Sequence, residues 1–94
     1  MIKSFKCKET EKVFNGKFSK KLPNEIQYRA FKKLHAIDVS ENVNDLTVPP
    51  SNHLEILTGD RKGQYSIRIN DQYRICFDWV EDNALNVEIT DYHG

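Results

Sequence analysis

The chain has 94 residues and a mass of 11.0 kDa, with 38% hydrophobic and 30% charged residues, which predicts one small domain spanning residues 1–94. Ten aromatic residues and only seven Gly or Pro exclude a disordered tail or a fibrous protein. The formal net charge is zero, which argues against a uniformly basic nucleic-acid binder, although residues 1–36 carry +7 and residues 37–94 carry −7.

The first part of the chain predicts a short strand followed by two helices. Residues 2–6 alternate roughly between apolar and polar side chains and have the length of a short strand. Residues 8–14 are rich in helix formers and end before Asn15-Gly16, which is typical of a left-handed helix stop. A longer helix begins after Pro23. Its apolar stripe consists of Ile26, Ala30, Leu34 and Ile37.

The opposite face of this longer helix is basic, because it carries Arg29, Lys32 and Lys33. Together with the +7 charge of residues 1–36, this face predicts a surface that meets a polyanion or an acidic partner. A lysine-rich surface that is only solvated is an equally good interpretation of the charge pattern alone.

The remaining sequence predicts a loop and then four strands. Residues 38–50 lack periodicity and end in a Pro-Pro pair, so we expect a loop with at most one helical turn. From residue 54 the period changes to two, and the expected strands cover 54–57, 64–69 and 73–79, followed by a last strand that ends at Asp91. The apolar residues of that last strand are Leu85, Val87 and Ile89. The predicted fold is α+β, in the order β-α-α-β-β-β-β, with helices against one face of a mainly antiparallel sheet.

Two arginines become neighbours if residues 70–72 form a three-residue hairpin loop. Ile67 then pairs with Ile75, and Arg68 pairs with Arg74 on the face away from the helices. Like charges in this position are destabilising, and a bound anion would reverse the effect. Because a guanidinium suits bidentate contact with phosphate, the pair favours a nucleic acid or nucleotide as ligand. The alternative is an ordinary solvated face on which a nearby carboxylate neutralises the arginines, namely Asp78, Glu88 or Asp91.

Other chemical motifs are few. The sequence ends in Asp91-Tyr92-His93-Gly94, and His93 can exchange a proton near neutral pH, although a frayed terminus is the commoner interpretation of this spacing. Nucleophile elbows, P-loops and G-x-G-x-x-G motifs are absent. Cys7 and Cys76 form no CxxC or Cys/His cluster, so we expect no metal site, no cofactor and a reducing cytoplasmic location. We also expect neither secretion nor membrane insertion, because no apolar run is long enough.

Five segments carry a family pattern, namely residues 1–5, 54–61, 63–68, 70–77 and 91–93. They resemble the HigB-type toxins of the RelE/ParE superfamily of bacterial toxin–antitoxin systems. The resemblance spans nearly the whole chain and is strongest from residue 54 onward. It implies a metal-independent, ribosome-dependent endoribonuclease (an mRNA interferase) that cuts messenger RNA in the cytoplasm, inhibits translation and growth, and is neutralised by a helix-turn-helix antitoxin.

The resemblance also implies roles for single residues. By matching positions, Arg74 would stabilise charge on the phosphate, and Asp91, Tyr92 and His93 would form the C-terminal catalytic segment, with His93 as the acid. Glu55 stands near a position where some members place a His. It is similar to the Glu that other members use as the base, which would take the 2′-hydroxyl proton. The residues expected to hold the RNA backbone are Arg61, Lys62 and Arg68.

Two alternatives remain from the sequence alone. A ParE-like toxin would bind and inhibit DNA gyrase without cutting nucleic acid, and the Tyr92-His93 ending and the paired arginines argue against it. A non-catalytic member would only bind its antitoxin. Glu55 and Thr58, which replace the His and Lys of some relatives, keep this second alternative open.

Overall fold

Two helices form where the sequence pattern predicts them. In a computed structural model, which describes residues 1–91, α1 covers Lys8–Phe14 and α2 covers Asn24–Val39. Gly16 follows α1 in the left-handed conformation, with φ of 79°, which confirms the predicted helix stop. The buried residues of α2 are those of the predicted stripe, Ile26, Ala30, Leu34 and Ile37.

The strands form one antiparallel sheet in the order β1-β2-β3-β4. Their bounds are Glu55–Ile56 for β1, Tyr65–Arg68 for β2, Tyr73–Val80 for β3 and Asn83–Asp91 for β4. The hairpin between β2 and β3 has the predicted register, because Ile67 pairs with Ile75 and Arg68 with Arg74. The predicted α+β class is therefore confirmed, with both helices packed over the apolar face of the sheet.

Two segments differ in detail from the predicted elements. The predicted first strand is an extended segment beside β4, held by parallel bridges from Ile2 to Ala84 and from Phe5 to Val87. The loop prediction for residues 38–50 is too simple, because two short 3₁₀ helices, Val43–Thr47 and Pro50–Asn52, lie in or overlap this region. An Asn42 and Asp45 capping box starts the first of them, which explains local helical structure without apolar periodicity.

A bulge in β4 changes which side chains reach the core. Cys76 pairs with Glu88 but Asp78 pairs with Leu85, so β4 contains one extra residue here. Asn86 takes up the distortion with φ of 55°. As a result Ala84 is fully buried in the core beside Val87, whereas Leu85 is only half-buried. The predicted alternation is therefore wrong at Leu85, where Ala84 faces the core instead, and it is confirmed at Val87 and Ile89.

A polar cluster around the buried Ser19 ties the loop between the helices to both of them. The Ser19 hydroxyl donates to Glu9 of α1 at 2.6 Å, and the Ser19 amide donates to Gln27 of α2 at 3.0 Å. Gln27 in turn donates to the carbonyls of Ser19 and Leu22. The hydrogen bond from Ser19 lowers the pKa of Glu9, and the nearby Lys12 ammonium acts in the same direction.

We expect Ser19→Ala to lower the melting temperature at neutral pH by roughly 4 to 8 °C, because it removes a buried donor from this cluster. A carboxyl group whose pKa is lower in the folded state stabilises the fold at pH values above its unfolded-state pKa. This contribution is lost as the pH falls through the folded-state pKa. The difference from the wild type should therefore narrow in acid. Thermal unfolding of the wild type and Ser19→Ala at neutral pH and in acid tests this, with Lys20→Ala at an exposed neighbouring position as control. Equal melting temperatures of the wild type and Ser19→Ala at neutral pH would contradict the prediction.

Candidate active site

Arg74 is the centre of a polar site on the face of the sheet away from the helices. Its side chain lies on β3 and the residue is only 8% exposed. Its Nε donates to Ser66 Oγ of β2 at 2.8 Å, and its Nη2 donates to the His53 carbonyl at 2.7 Å. The same Nη2 lies 3.2 Å from Oε1 of Glu55 on β1. Two strands and the segment before β1 thus converge on one guanidinium.

Strand alternation and one strained residue bring these groups together. Ile75 faces the core, so its neighbours Arg74 and Cys76 face the opposite side, where Ser66 pairs with Cys76 and Glu55 pairs with Ser66. His53 adopts a left-handed conformation with φ of 46°, and its carbonyl meets Arg74 there. Because Ser66 and Cys76 are fully buried, this part of the face is not an ordinary solvated surface.

A second arginine is fixed on the same side of the sheet. Arg61 Nη2 lies 3.0 Å from Oε1 of Glu88, and Arg61 Nη1 donates to Gln64 at 3.2 Å. Glu88 pairs with Cys76 across β3 and β4. From the sequence, Glu88 is expected only as a carboxylate that neutralises Arg68 or Arg74, whereas the structure places it on Arg61. The sequence signal that could have placed Glu88 in the site is its position on the polar side of the last strand.

The other predicted site residues lie around this centre. Arg68 forms an ion pair with Asp71 of its own hairpin loop. Lys62 is exposed after the short 3₁₀ helix Gly59–Arg61, and Asp91, at the end of β4, accepts a hydrogen bond from Gln72 at 2.9 Å. Tyr92 and His93, the other predicted catalytic residues, lie outside the described residues.

The site combines fixed positive charge with one accessible carboxylate. The Glu55 side chain is 47% exposed, so it can meet a ligand while it contacts the buried Arg74. Burial raises the pKa of the Cys76 thiol, which keeps this neighbour of Arg74 neutral. Such a site can bind an anion and accept a proton beside it. Within residues 1–91, no group of three His, Cys, Asp or Glu residues is placed to hold a metal ion, and no helix has the length and apolar character of a membrane span.

Comparisons with known proteins show the family of the chain. The family model of RelE-like HigB toxins of type II toxin–antitoxin systems matches residues 3–93. Toxin HigB-1 of Vibrio cholerae is 40% identical over 87 residues, which are 92% of each chain. Endoribonuclease HigB of Proteus vulgaris is 32% identical over 93 residues, which are 99% of this chain and 100% of the relative.

A solved structure supports the fold separately. The YoeB-YefM complex from Staphylococcus aureus contains a chain that matches this one with a TM-score of 0.57 and 16% sequence identity. The match covers 100% of this chain and 99% of the other, so the likeness extends over the whole domain. The family match and the two relatives lead to one assignment. The chain belongs to the HigB-like toxins, the RelE-like toxins of type II toxin–antitoxin systems.

Proposed function

We propose that this toxin is an endoribonuclease that cuts messenger RNA on the ribosome and thereby inhibits translation and growth. The observation that carries the proposal is the buried Arg74 with the accessible Glu55 carboxylate 3.2 Å away, because RNA cleavage is accelerated by a base that takes the 2′-hydroxyl proton and by a cation that stabilises charge on the phosphate. A relative named Endoribonuclease HigB, similar over nearly the full length of both chains, supports the same activity.

The proposed reaction divides three roles among protein groups. Glu55 removes the proton of the 2′-hydroxyl, and the 2′-oxygen attacks the adjacent phosphorus. A bond from O2′ to phosphorus forms while the bond from phosphorus to O5′ breaks, and His93 gives a proton to the departing 5′-oxygen. The products are a 2′,3′-cyclic phosphate and a 5′-hydroxyl end. Asp91 and Tyr92 complete the proposed catalytic segment beside His93.

The pairing of Glu55 with Arg74 favours this reaction electrostatically. As the proton moves onto Glu55, its negative charge disappears from the carboxylate and develops on the pentacovalent phosphorus group. Arg74 therefore interacts with the Glu55 carboxylate before the proton moves and with the negative charge on the phosphorus group in the transition state. Since Ser66 and the His53 carbonyl already hold the guanidinium, little reorganisation is needed at that moment. These groups fill the required roles, so we propose that cleavage is independent of metal ions.

Partners follow from the charge of the chain and from its family. A domain with zero net charge and few catalytic groups orders free RNA poorly, so we propose that the ribosome positions the message in the cytoplasm. Arg61, Lys62 and Arg68 are the residues proposed to hold the RNA backbone. The family match supports an antitoxin as protein partner, and we propose that it is of the helix-turn-helix type.

The proposal is tested by mapping messenger-RNA 5′ ends by primer extension shortly after the toxin is induced in cells. We expect cuts in phase with codons, no cuts in ribosome-free RNA treated in parallel, and unchanged cutting by purified toxin and translating ribosomes when transition-metal ions are chelated. Growth arrest without new 5′ ends would contradict the proposal and favour a binding target such as gyrase.

We expect Glu55→Gln to slow ribosome-dependent cleavage by roughly 10² to 10⁴-fold, because the amide keeps the shape of the carboxylate but cannot take the proton. Single-turnover cleavage of a bound message measures the effect. Glu81→Gln, an exposed acid in the turn between β3 and β4, is the matched control and should cleave normally. A Glu55→Gln variant with wild-type rate would assign the base to another group.

A further inference from the structure

A basic groove lies beside the Arg74 site, between α2, residues 49–52 and the β2–β3 hairpin. It is open and has a volume of about 780 Å³. Four cationic side chains line it, and the only acid among the described lining residues is Asp71. The four cations are Arg29, Lys32 and Lys33 of α2 and Arg68 of β2.

Two of the cations on α2 are held in place by neighbouring elements. Arg29 Nη1 donates to the Ile69 carbonyl of the hairpin at 3.1 Å. Lys33 Nζ donates to Oδ1 of Asn52, which is 2% exposed. Asn52 is itself anchored, because its side-chain amide donates to the carbonyls of Leu46 and Val48. The groove is therefore built from fixed groups on three separate parts of the chain.

The three cations that α2 contributes to the groove repel one another. Lys33 lies one residue from Lys32 and one helical turn from Arg29, and burial together with these two charges lowers the pKa of Lys33. Like charges at this spacing destabilise a helix, and an anion bound between them would remove the repulsion. The arrangement is thus costly in the free protein and favourable when an anion is bound.

We propose that this groove binds the sugar-phosphate backbone of an RNA strand, as a second subsite beside Arg74; RNA as the ligand rests on the proposed function. The groove wall favours RNA over a protein partner, because its apolar lining residues are only Ala36, Pro49 and Ile69 among those described, with no aromatic side chain. Protein interfaces have apolar, aromatic-rich cores, whereas nucleic-acid backbones are bound mainly by Lys and Arg.

The groove and the Arg74 site share two structural elements. Arg68 lines the groove and is the cross-strand neighbour of Arg74. Asn52 lines the groove and precedes His53, whose carbonyl accepts from Arg74. One RNA strand can therefore contact both sites. The same phosphate chemistry is offered by the message and by ribosomal RNA, and the experiment has one arm for each.

The test compares Arg29→Gln/Lys32→Gln with Lys20→Gln/Lys21→Gln, which removes the same charge from two exposed positions in the loop between the helices. In one arm, fluorescence anisotropy measures binding of each full-length variant to a single-stranded 2′-O-methyl oligoribonucleotide, which the toxin cannot cleave. In the other arm, co-sedimentation measures binding to ribosomes without message. Antitoxin affinity and melting temperature are recorded for all variants, and Lys32→Gln alone serves if the double variant unfolds.

We expect the groove variant to bind roughly tenfold more weakly than the control at moderate salt, with a salt slope reduced by about 0.7 for each phosphate that the variant no longer neutralises. Weaker oligonucleotide binding assigns the groove to the message, and weaker ribosome binding alone assigns it to ribosomal RNA. Affinities equal to those of the control in both arms overturn the proposal, as does a loss confined to antitoxin binding. If the wild-type toxin binds RNA more tightly than the groove variant but never cuts it, the proposed nuclease activity is refuted and the proposed RNA-binding groove is not.

Discussion

Replacement of Arg74 by alanine is expected to slow messenger-RNA cleavage by about 10³-fold or more and to abolish toxicity. The reason is that the buried guanidinium is the cation nearest to the proposed base, and loss of one preorganised group that stabilises transition-state charge commonly costs this much. Growth after induction and the mapping of messenger-RNA 5′ ends measure the two effects. Arg74→Lys keeps the charge but loses the planar fork, so it should fall between alanine and the wild type.

Loss of folding must be separated from loss of chemistry in this experiment. Arginine removal leaves Ser66 Oγ, the His53 carbonyl and Glu55 without this partner, which costs stability as well. Antitoxin binding and the melting temperature report folding, and the exposed Lys20→Ala provides a surface control. A folded, antitoxin-binding Arg74→Ala variant that still cuts RNA would refute the assignment. A different result would be growth arrest by both the wild type and Arg74→Ala without RNA cleavage by either. A gyrase-directed or other binding function would then be the better account.

Phe77→Ala is expected to destabilise the fold by about 3 to 5 kcal/mol, which is a large part of the stability of a domain this small. Phe77 is fully buried on β3, and its ring centroid lies 6.2 Å from those of both Tyr65 and Trp79. Truncation removes these contacts and leaves a cavity between the sheet and the helices. Urea unfolding followed by circular dichroism measures the change.

The matched control is an aromatic residue at the surface. Tyr28 lies on α2 and is 71% exposed, so Tyr28→Ala should change the free energy of unfolding by about 0.5 kcal/mol or less. Phe77→Leu, which retains most of the volume, should cost less than Phe77→Ala. If Phe77→Ala and Tyr28→Ala unfold at the same urea concentration, Phe77 is not part of the stabilising core.

Local patterns predicted most of the fold because its elements are bounded by residues with strong conformational preferences. The Asn15-Gly16 stop and the four-residue spacing of Ile26, Ala30 and Leu34 specify the two helices without reference to the rest of the chain. The register of Arg68 opposite Arg74 was predictable from a similar local pattern, since a three-residue loop places the apolar residues of β2 and β3 on one face.

The features that the sequence did not predict depend on contacts that local patterns do not contain. The bulge at Asn86 requires a left-handed residue inside a strand, so alternation favoured Leu85 where Ala84 enters the core. The left-handed His53 whose carbonyl meets Arg74 is likewise invisible to periodicity. The Arg61 to Glu88 contact joins residues of separate elements. The sequence therefore predicted that Arg68 and Arg74 are neighbours on the face away from the helices, but not the second ion pair or the anchored groove.

The pairing of residues 2–5 with β4 also constrains when the toxin becomes complete during its own synthesis. The Ser4 hydroxyl accepts from the amide of Asn86, 82 positions later in the chain. At translation rates of roughly 5 to 20 residues per second, the partner of the first segment is made about 4 to 16 seconds after it. Glu88, the partner of Arg61, belongs to the same late strand. We therefore expect a nascent chain to be inactive as a toxin until β4 has emerged and paired.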